Sequence, residues 1–574
     1  MLFSDLTAVF EKLEATRARL EITSDVAKLL KECDSRNVRK VVYLLQGIVQ
    51  PSFTGVDLGV GDKLAQQAIS RVSGKTIKQI EASYRKTGDL GETGKELLSI
   101  KAQTSLVNAE LSVDKVYDNF YKIATASGQG SQDLKIKLLS ELLSNSSPVE
   151  AKVILRFTTG SLRLGLGDQT IIDAFSFFEK GDKSVKQVFE KAFNFTSDLG
   201  FVAELFFEKG LQAVDEVKPM PFNPIRPALA ERLQDSKEIF EKLGKCSVEG
   251  KYDGFRLQVH LSNGRVEIYS RKQEKITEMF PEIVEGVKKY FNAKQVIFEG
   301  EAIVVKDGKF LPFQATIQRK RKHGVSEKAK ELPLKLYCFE LLYLDGKDLT
   351  GLKYEQRRTK LDSIIKNNTD VVLANRIIAS SSEEIEEYFL DCLAKGLEGV
   401  IAKDLNAPYV AGGRKFAWIK LKKSYSDKLV DTVDVVIVGY YYGKGKRTQF
   451  GFGGLLTAVL NEDSNEFETI AKIGTGFSEE QMSFFQNELG KIKLKQKPSN
   501  VSSLIDADEW VQPKIVVEIA ADEITKSPMH TAGMVGREGY ALRFPRFLRI
   551  REDKSVDECT TVLEVLELFE RQRR

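Results

Sequence analysis

The run Lys251-Tyr252-Asp253-Gly254-Phe255-Arg256 is the first place where residue types and spacing allow chemistry. A lysine attacks a phosphorus atom only as the free amine, which requires burial or nearby cations to depress its pKa. Lys251 is expected just before a strand, with Gly250 as the turn residue ahead of it. The spacing alone is weak: average composition yields Lys-x-Asp-Gly by chance in roughly one chain of this length in ten. The plain alternative is a surface lysine entering a strand. Two further segments, Phe298-Glu299-Gly300-Glu301-Ala302-Ile303-Val304 and Glu398-Gly399-Val400-Ile401-Ala402-Lys403, read as strands bearing carboxylates. Carboxylates suit Mg²⁺, and a metal bridging phosphate oxygens neutralises charge in a transition state. Either glutamate alone reads equally well as a solvated strand edge.

Phe416-Ala417-Trp418-Ile419-Lys420-Leu421-Lys422 carries a clearer physical pattern. Strand alternation sends Ile419 and Leu421 to a core and puts Trp418, Lys420 and Lys422 together on the other face. Two adjacent ammonium groups cost free energy unless an anion lies between them, and a triphosphate is such an anion. An edge strand with solvated lysines is the plain reading. The stretch 542–554 places five cations, Arg543, Arg546, Arg549, Arg551 and Lys554, within twelve residues among apolar groups. That suits phosphate binding or a basic surface strand.

These residues need elements to hold them. Up to about Val217 the chain reads as helical, with Leu6, Val9, Phe10 and Leu13 at helical spacing. Ser147-Pro148-Val149-Glu150 reads as a capping box, and Asp168 as the cap of a helix carrying Ile171, Ile172 and Phe175. Four prolines in the nine residues 219–227 form an extended linker and a domain boundary. From 228 to 424 strands and helices mix. Phe255, Leu257, Val259 and Leu261 alternate with polar residues, Asn263-Gly264 offers a tight hairpin, and Asp307-Gly308 and Asp345-Gly346 mark turns. A helix is expected over 381–395. Beyond 425 short strands dominate, at 433–442, 454–460, 467–473 and 514–520, as in a small β-barrel.

Bulk properties set the outer bounds. The 574 residues suffice for about three to four domains, and 42% hydrophobic with 29% charged residues describes a globular protein. No apolar run reaches the roughly 20 residues of a membrane span, and the N-terminus lacks signal-peptide features. An intracellular, reducing compartment and no membrane partner are therefore expected. Five scattered cysteines without a C-x-x-C pair disfavour a zinc module or a disulfide framework, and three histidines disfavour histidine-cluster chemistry. A net charge of +4 does not by itself announce a nucleic-acid binder, though cations can still gather on one surface.

Taken together, the segments resemble the ATP-dependent DNA ligases, most closely the archaeal and eukaryotic replicative type. Lys251-x-Asp253-Gly254 resembles that family's motif I, Ser270-Arg271 motif Ia, Glu299-Gly300-Glu301 motif III and Tyr337-Cys338-Phe339-Glu340 motif IIIa. Glu398 to Lys403 resembles motif IV, Trp418 to Lys422 motif V, and Arg551-Glu552-Asp553-Lys554 motif VI. Flanking matches include Leu162 to Thr170, Phe313-Gln314, Arg319-Lys320-Arg321 and Phe452 to Leu456. Two departures stand out: Glu340 replaces a more usual aspartate, and Ala402 a bulkier apolar residue.

The resemblance implies a multidomain fold: an all-α N-terminal DNA-binding domain (1–217), a linker (218–227), an α+β nucleotidyltransferase or adenylation domain (228–424) and a β-barrel OB-fold domain (425–574). It implies that Lys251 takes AMP from ATP and passes it to the 5′-phosphate of a nick, and that the 3′-hydroxyl then forms the phosphodiester bond and expels AMP. Glu249 and Phe339 would contact adenine. Arg256, Arg271, Arg414, Lys420 and Lys422 would bind ribose and phosphates, with Glu301 and Glu398 on ribose or metal. Arg551 and Lys554, with Asp553, would orient pyrophosphate in the first step only. Mg²⁺ is the implied metal, with Mn²⁺ as substitute. Gly160, Arg163, Arg319, Arg543 and Arg546 are assigned to DNA; the Thr159-Gly160-Ser161 loop either offers N–H groups to phosphates or merely caps a helix. A monomer acting on nicked duplex DNA, with a sliding clamp as a further partner, is the implied assembly. It would be cytoplasmic in an archaeal-like cell and nuclear in a eukaryote.

RNA ligases and mRNA capping enzymes share Lys-x-Asp-Gly, but the long helical N-terminal part and Arg-Phe-Pro-Arg-Phe disfavour both. An NAD-dependent ligase would carry a cysteine zinc module. A nick-binding scaffold without catalysis would need neither Lys251 nor Lys420 and Lys422.

Overall fold

The computed structural model describes the chain except residues 17, 88, 100–109, 161, 163, 307–308, 312–315, 317–318, 320–330, 367–369, 423–430, 443–451, 522 and 573–574. The part before the linker is helical, from Phe3–Ala15 through Leu199–Asp215. Phe3, Leu6, Phe10 and Leu13 form the buried stripe of the first helix, while Val9 is only partly covered. Each buried side chain of this size contributes about 2 kcal/mol. Ser147 accepts from the Glu150 N–H and Glu150 accepts from the Ser147 N–H, so the expected capping box forms at Pro148–Thr158. Asp168 does not cap its helix. Gly167 takes the cap position, and the Asp168 carboxylate instead accepts from Gln46 (2.8 Å) and Arg226 (3.4 Å).

The proline-rich segment is extended but not loose. Phe222 N–H donates to His260 Nδ1 (2.8 Å), Ile225 N–H to Gln258 Oε1 (2.7 Å) and Arg226 N–H to Asn194 O (2.8 Å). The segment is thereby stitched to both the helical part and the strand Phe255–Ser262.

The middle of the chain forms two sheets. Its strands are β1 (Leu229–Arg232), β2 (Cys246–Lys251), β3 (Phe255–Ser262), β4 (Arg265–Ser270), β5 (Gln295–Lys306), β6 (Lys309–Phe310), β7 (Leu334–Leu344), β8 (Lys347–Asp348), β9 (Val371–Leu373), β10 (Arg376–Ala379), β11 (Gly399–Asp404) and β12 (Arg414–Lys422). One sheet has the order β1-β12-β11-β2-β10; the other runs β4-β3-β5-β7-β8, with β6 on β5 and β9 on β7. The chain crosses from the first sheet to the second between Lys251 and Phe255. The Asn263-Gly264 and Asp345-Gly346 hairpins form as expected, each with both residues at positive φ. The expected turn at 307–308 lies outside the described residues. The helix expected over 381–395 runs Ser382–Ala394, capped by Ser381.

After residue 430, Asp431–Tyr441 pairs with Gly454–Asn461 and Val516–Ala521 in an eight-stranded sheet, and Val516–Ala521 also pairs with Arg546–Ile550. A smaller three-stranded sheet and the helix Val562–Gln572 complete this part. The molecule is thus a multidomain protein: helical, then mixed, then mainly β. No helix among the described residues is long and apolar enough to cross a membrane.

Candidate active site

The cleft-facing residues of the first sheet fall into rows across β2, β11 and β12. Lys251, Gly399 and Lys422 form one row, and Glu249, Ile401 and Lys420 the next; Lys403 and Trp418 pair in a third. Ile419 and Leu421 point into the opposite, apolar side, fully buried, as strand alternation required. The second sheet closes the cleft with Arg256 on β3 opposite Glu301 on β5, and with Phe339 on β7.

Lys251 differs from expectation in its backbone setting. It precedes the strand β3, as expected, but also ends the strand β2, and Gly250 is not a turn residue but a paired strand position opposite Val400. The turn comes after Lys251, and there glycine is required: a Cβ on Gly254 would lie 2.3 Å from Ala302 O. Tyr252 in the same turn is buried and stacked on Tyr337, with centroids 4.4 Å apart. The turn is therefore anchored on both sides, and Lys251 projects from a rigid strand end.

The Lys251 ammonium donates to Glu398 Oε2, and Lys422 pairs with Glu398 Oε1. Burial alone would raise the Glu398 carboxyl, but the charges of Lys251 and Lys422 overcome it and hold it well below the ordinary carboxylate range. Among the described residues Glu301 has no such ion pair. Burial pushes it up to about 7, against the nearby positive charges of Lys251 and Arg256. Its Oε1 accepts from Gly254 N–H at 3.2 Å. Burial, opposed by Lys251 but reinforced by Glu398, also raises Asp253. Lys420 is pushed well below the lysine range by burial and by Lys554. Neither glutamate is the solvated strand edge that its segment alone allowed.

At the inner end, Phe339 and Trp418 form apolar walls, with ring centroids 6.0 Å apart, and the Lys403 ammonium lies 4.3 Å from the Trp418 ring. Glu249 is buried there, paired with Lys403 (2.7 Å) and accepting from Tyr354 and Arg358. Arg256 is held by Ala228 O (2.7 Å) and Glu299 (2.8 Å). The outer end is closed by the C-terminal part. Arg551 donates to Asp434 (3.0 Å) and Asp553 (2.9 Å), and Lys554 donates to Asp434. Arg271 meets Glu558 at 2.5 Å and Arg414 meets Glu564 at 2.8 Å, both across the boundary between the middle and C-terminal parts.

The residues expected at DNA fare differently. Arg543 and Arg546 are exposed on the C-terminal part. Arg319 is not on a surface: its side chain is fully buried and paired with Glu282. The Gly160 N–H donates to Phe157 O (3.2 Å), as in the helix-capping alternative. Arg163 and Ser161 lie outside the described residues.

Sequence reasoning missed Tyr354, Arg358, Asp434, Glu558 and Glu564. Tyr354 and Arg358 are one helical turn apart, but nothing in the sequence ties them to Glu249 a hundred positions earlier.

A cation-rich cleft with apolar walls, a lysine at a strand end and further cations arriving from a second unit suits a nucleotide-using transferase. Three family descriptions match the chain: "DNA ligase N terminus" at residues 2–176, "ATP dependent DNA ligase domain" at 227–422 and "ATP dependent DNA ligase C terminal region" at 448–554. A protein named "Probable DNA ligase" from Dictyoglomus turgidum is 45% identical over 100% of this chain and 98% of its own length. The "DNA ligase" of Nitrosopumilus maritimus is 39% identical (100% and 99%), and that of Saccharolobus solfataricus 40% identical (100% and 98%). The solved structure "mycobacterial DNA ligase D complexed with ATP and MES" covers 58% of this chain and 97% of its own at 24% identity, with a TM-score of 0.34, too low to bear on the fold. The chain belongs to the ATP-dependent DNA ligase family.

Proposed function

We propose that Lys251 is the nucleophile of this ligase, carrying AMP between ATP and the 5′-phosphate of a nick in duplex DNA. The observation that carries the reading is the convergence on one cleft of Lys251, the Lys420 and Lys422 pair, and Arg551 and Lys554 from the C-terminal part. In the first step Lys251 Nζ attacks the α-phosphorus, the bond to the β-phosphate breaks, and pyrophosphate leaves while the amine's proton passes to solvent. Lys420 and Lys422 hold the α-phosphate; Arg551 and Lys554 orient the departing pyrophosphate. Adenine stacks on Phe339 toward Glu249, and Arg256 and Arg271 face the ribose and phosphates. AMP then moves to the 5′-phosphate, and the 3′-hydroxyl displaces it.

The donor set fits Mg²⁺. No group of three or more His, Cys, Asp or Glu residues among the described ones forms a metal cage. Glu301, Glu398 and Asp253 nevertheless line the cleft, and Mg²⁺ is commonly held by one or two carboxylates together with substrate phosphates. Bound there, the ion, or Mn²⁺ in its place, would neutralise phosphate charge; Glu301 and Glu398 would hold it.

In the same reading, residues 1–217 and the exposed Arg543 and Arg546 meet DNA, 218–227 links, 228–424 adenylates and 425–574 is an OB-fold. The ligase acts as a monomer, with a sliding clamp as further partner. Archaeal and bacterial relatives favour a cytoplasmic setting over a nuclear one.

Incubation with α-labelled ATP and Mg²⁺ should give an acid-labile protein adduct that peptide mass spectrometry places on Lys251 and that Lys251→Ala lacks. An adduct on another residue, or none while nick binding persists, would sink the assignment.

A further inference from the structure

We propose that Tyr354 and Arg358, on the helix Tyr354–Ile364, set the choice between adenine and guanine nucleotides by holding Glu249 in place as a hydrogen-bond acceptor. The inference rests on the reading of Glu249 as the base contact.

Glu249 sits on β2 two residues before Lys251, at the inner end of the cleft, and only about 3% of it is exposed. Its Oε1 accepts from the Tyr354 hydroxyl and from Arg358 Nη1 (3.4 Å), and its Oε2 faces Lys403 Nζ (2.7 Å). The holders are themselves fixed. Tyr354 is completely buried, and its N–H donates to Ala407 O at 3.0 Å. Arg358 donates to Ala374 O and to Asp362, each at 2.7 Å. The helix that carries both is pinned by the neighbouring Arg357, which makes two bonds to Glu340, of 2.8 and 2.9 Å, where both side chains are fully buried. This buried pair explains how a glutamate is accommodated at 340: its carboxylate serves the helix and does not reach for the nucleotide.

The chemistry of the two bases makes the placement consequential. Adenine presents an exocyclic amine, a donor, where guanine presents a carbonyl, an acceptor. An ionised carboxylate only accepts. Held in place, Glu249 rewards the amine with a charge-assisted bond and repels the carbonyl oxygen, which offers it no proton. Lys403 sharpens the contrast. Its ammonium points at Glu249 and at Phe339 O (3.2 Å). If Glu249 swings away, Lys403 is left facing the base as a donor, which matches guanine. Loosening Glu249 should therefore both weaken ATP and admit GTP.

The full-length protein, freed of AMP with pyrophosphate, would be mixed with α-labelled ATP or GTP and the rate of Lys251 labelling followed against nucleotide concentration. Tyr354→Phe keeps the buried ring and removes only the hydroxyl donor. It should lower the ATP-to-GTP ratio of kcat/KM by roughly tenfold, mainly through KM for ATP, with an unfolding midpoint close to that of the wild type. Arg358→Lys should shift the ratio the same way. If Glu249→Gln collapses the ratio but both Tyr354→Phe and Arg358→Lys keep the wild-type ratio, or lose ATP and GTP equally, the role of the helix is overturned while the base contact stands. If Glu249→Gln itself keeps the wild-type ratio, the base-contact reading fails and takes the proposal with it.

Discussion

Lys251 and Lys422 share one carboxylate: each pairs with a different oxygen of Glu398, which lies just before β11 between them. Gly399 follows at positive φ (153°), and a Cβ there would lie 2.0 Å from Leu421 O, so the backbone beside the pair admits only glycine. Replacing Glu398 by Gln leaves two lysines facing each other without a counter-charge and frees the Lys251 side chain. Single-turnover labelling with α-labelled ATP should slow by at least about tenfold, since a charge-assisted bond is worth about 1.5–3 kcal/mol. An undiminished rate would remove Glu398 from the first step.

Arg551 and Lys554 reach the cleft from the C-terminal part and are both held by Asp434, whose carboxyl burial would raise but Lys554 and Arg551 keep well below the usual range. Arg551→Ala or Lys554→Ala should impair adenylation yet spare sealing of a pre-adenylated nick, and Asp434→Asn should follow them. Equal loss of both steps would cancel the assignment to pyrophosphate.

Burial beside cations that it does not pair with pushes the Glu301 carboxyl up to about 7. Its ionised form is the one able to hold a metal, so Lys251 labelling should fall as pH drops through about 7, and the inflection should vanish in Glu301→Gln. Stability runs the opposite way. The folded value lies above the unfolded one (4.5), so the contribution of Glu301 is intact below about 4.5 and is lost as pH rises to about 7. Glu301→Gln should therefore gain stability relative to wild type between pH 5 and 8 in thermal melts; no relative change would contradict the buried titration.

Nick binding should weaken steeply with salt, because phosphate contacts release counterions. Arg543→Ala and Arg546→Ala should each lower the slope of log K against log salt by about one. Arg319→Ala should leave the slope unchanged and instead cost about 2 kcal/mol of stability, since it abandons Glu282. Fluorescence anisotropy over a salt series, with denaturant melts, separates the two behaviours.

What the sequence determined by itself was local and periodic. Strand alternation put Lys420 and Lys422 on one face, the Ser147 box started a helix, Asn263-Gly264 turned a hairpin, and the order of motifs pointed to the family. Short-range rules govern all of these, since backbone geometry and side-chain alternation act within a few residues. The tertiary structure decided which groups meet. It made Lys251 the end of a strand, because β11 pairs with β2 up to that residue. It buried Arg319 against Glu282. It also brought Tyr354 and Arg358 to Glu249, and Asp434 to Arg551. Such pairings depend on how separate sheets and helices pack, and on the cost of burying a charge without a partner, which no spacing along the chain encodes.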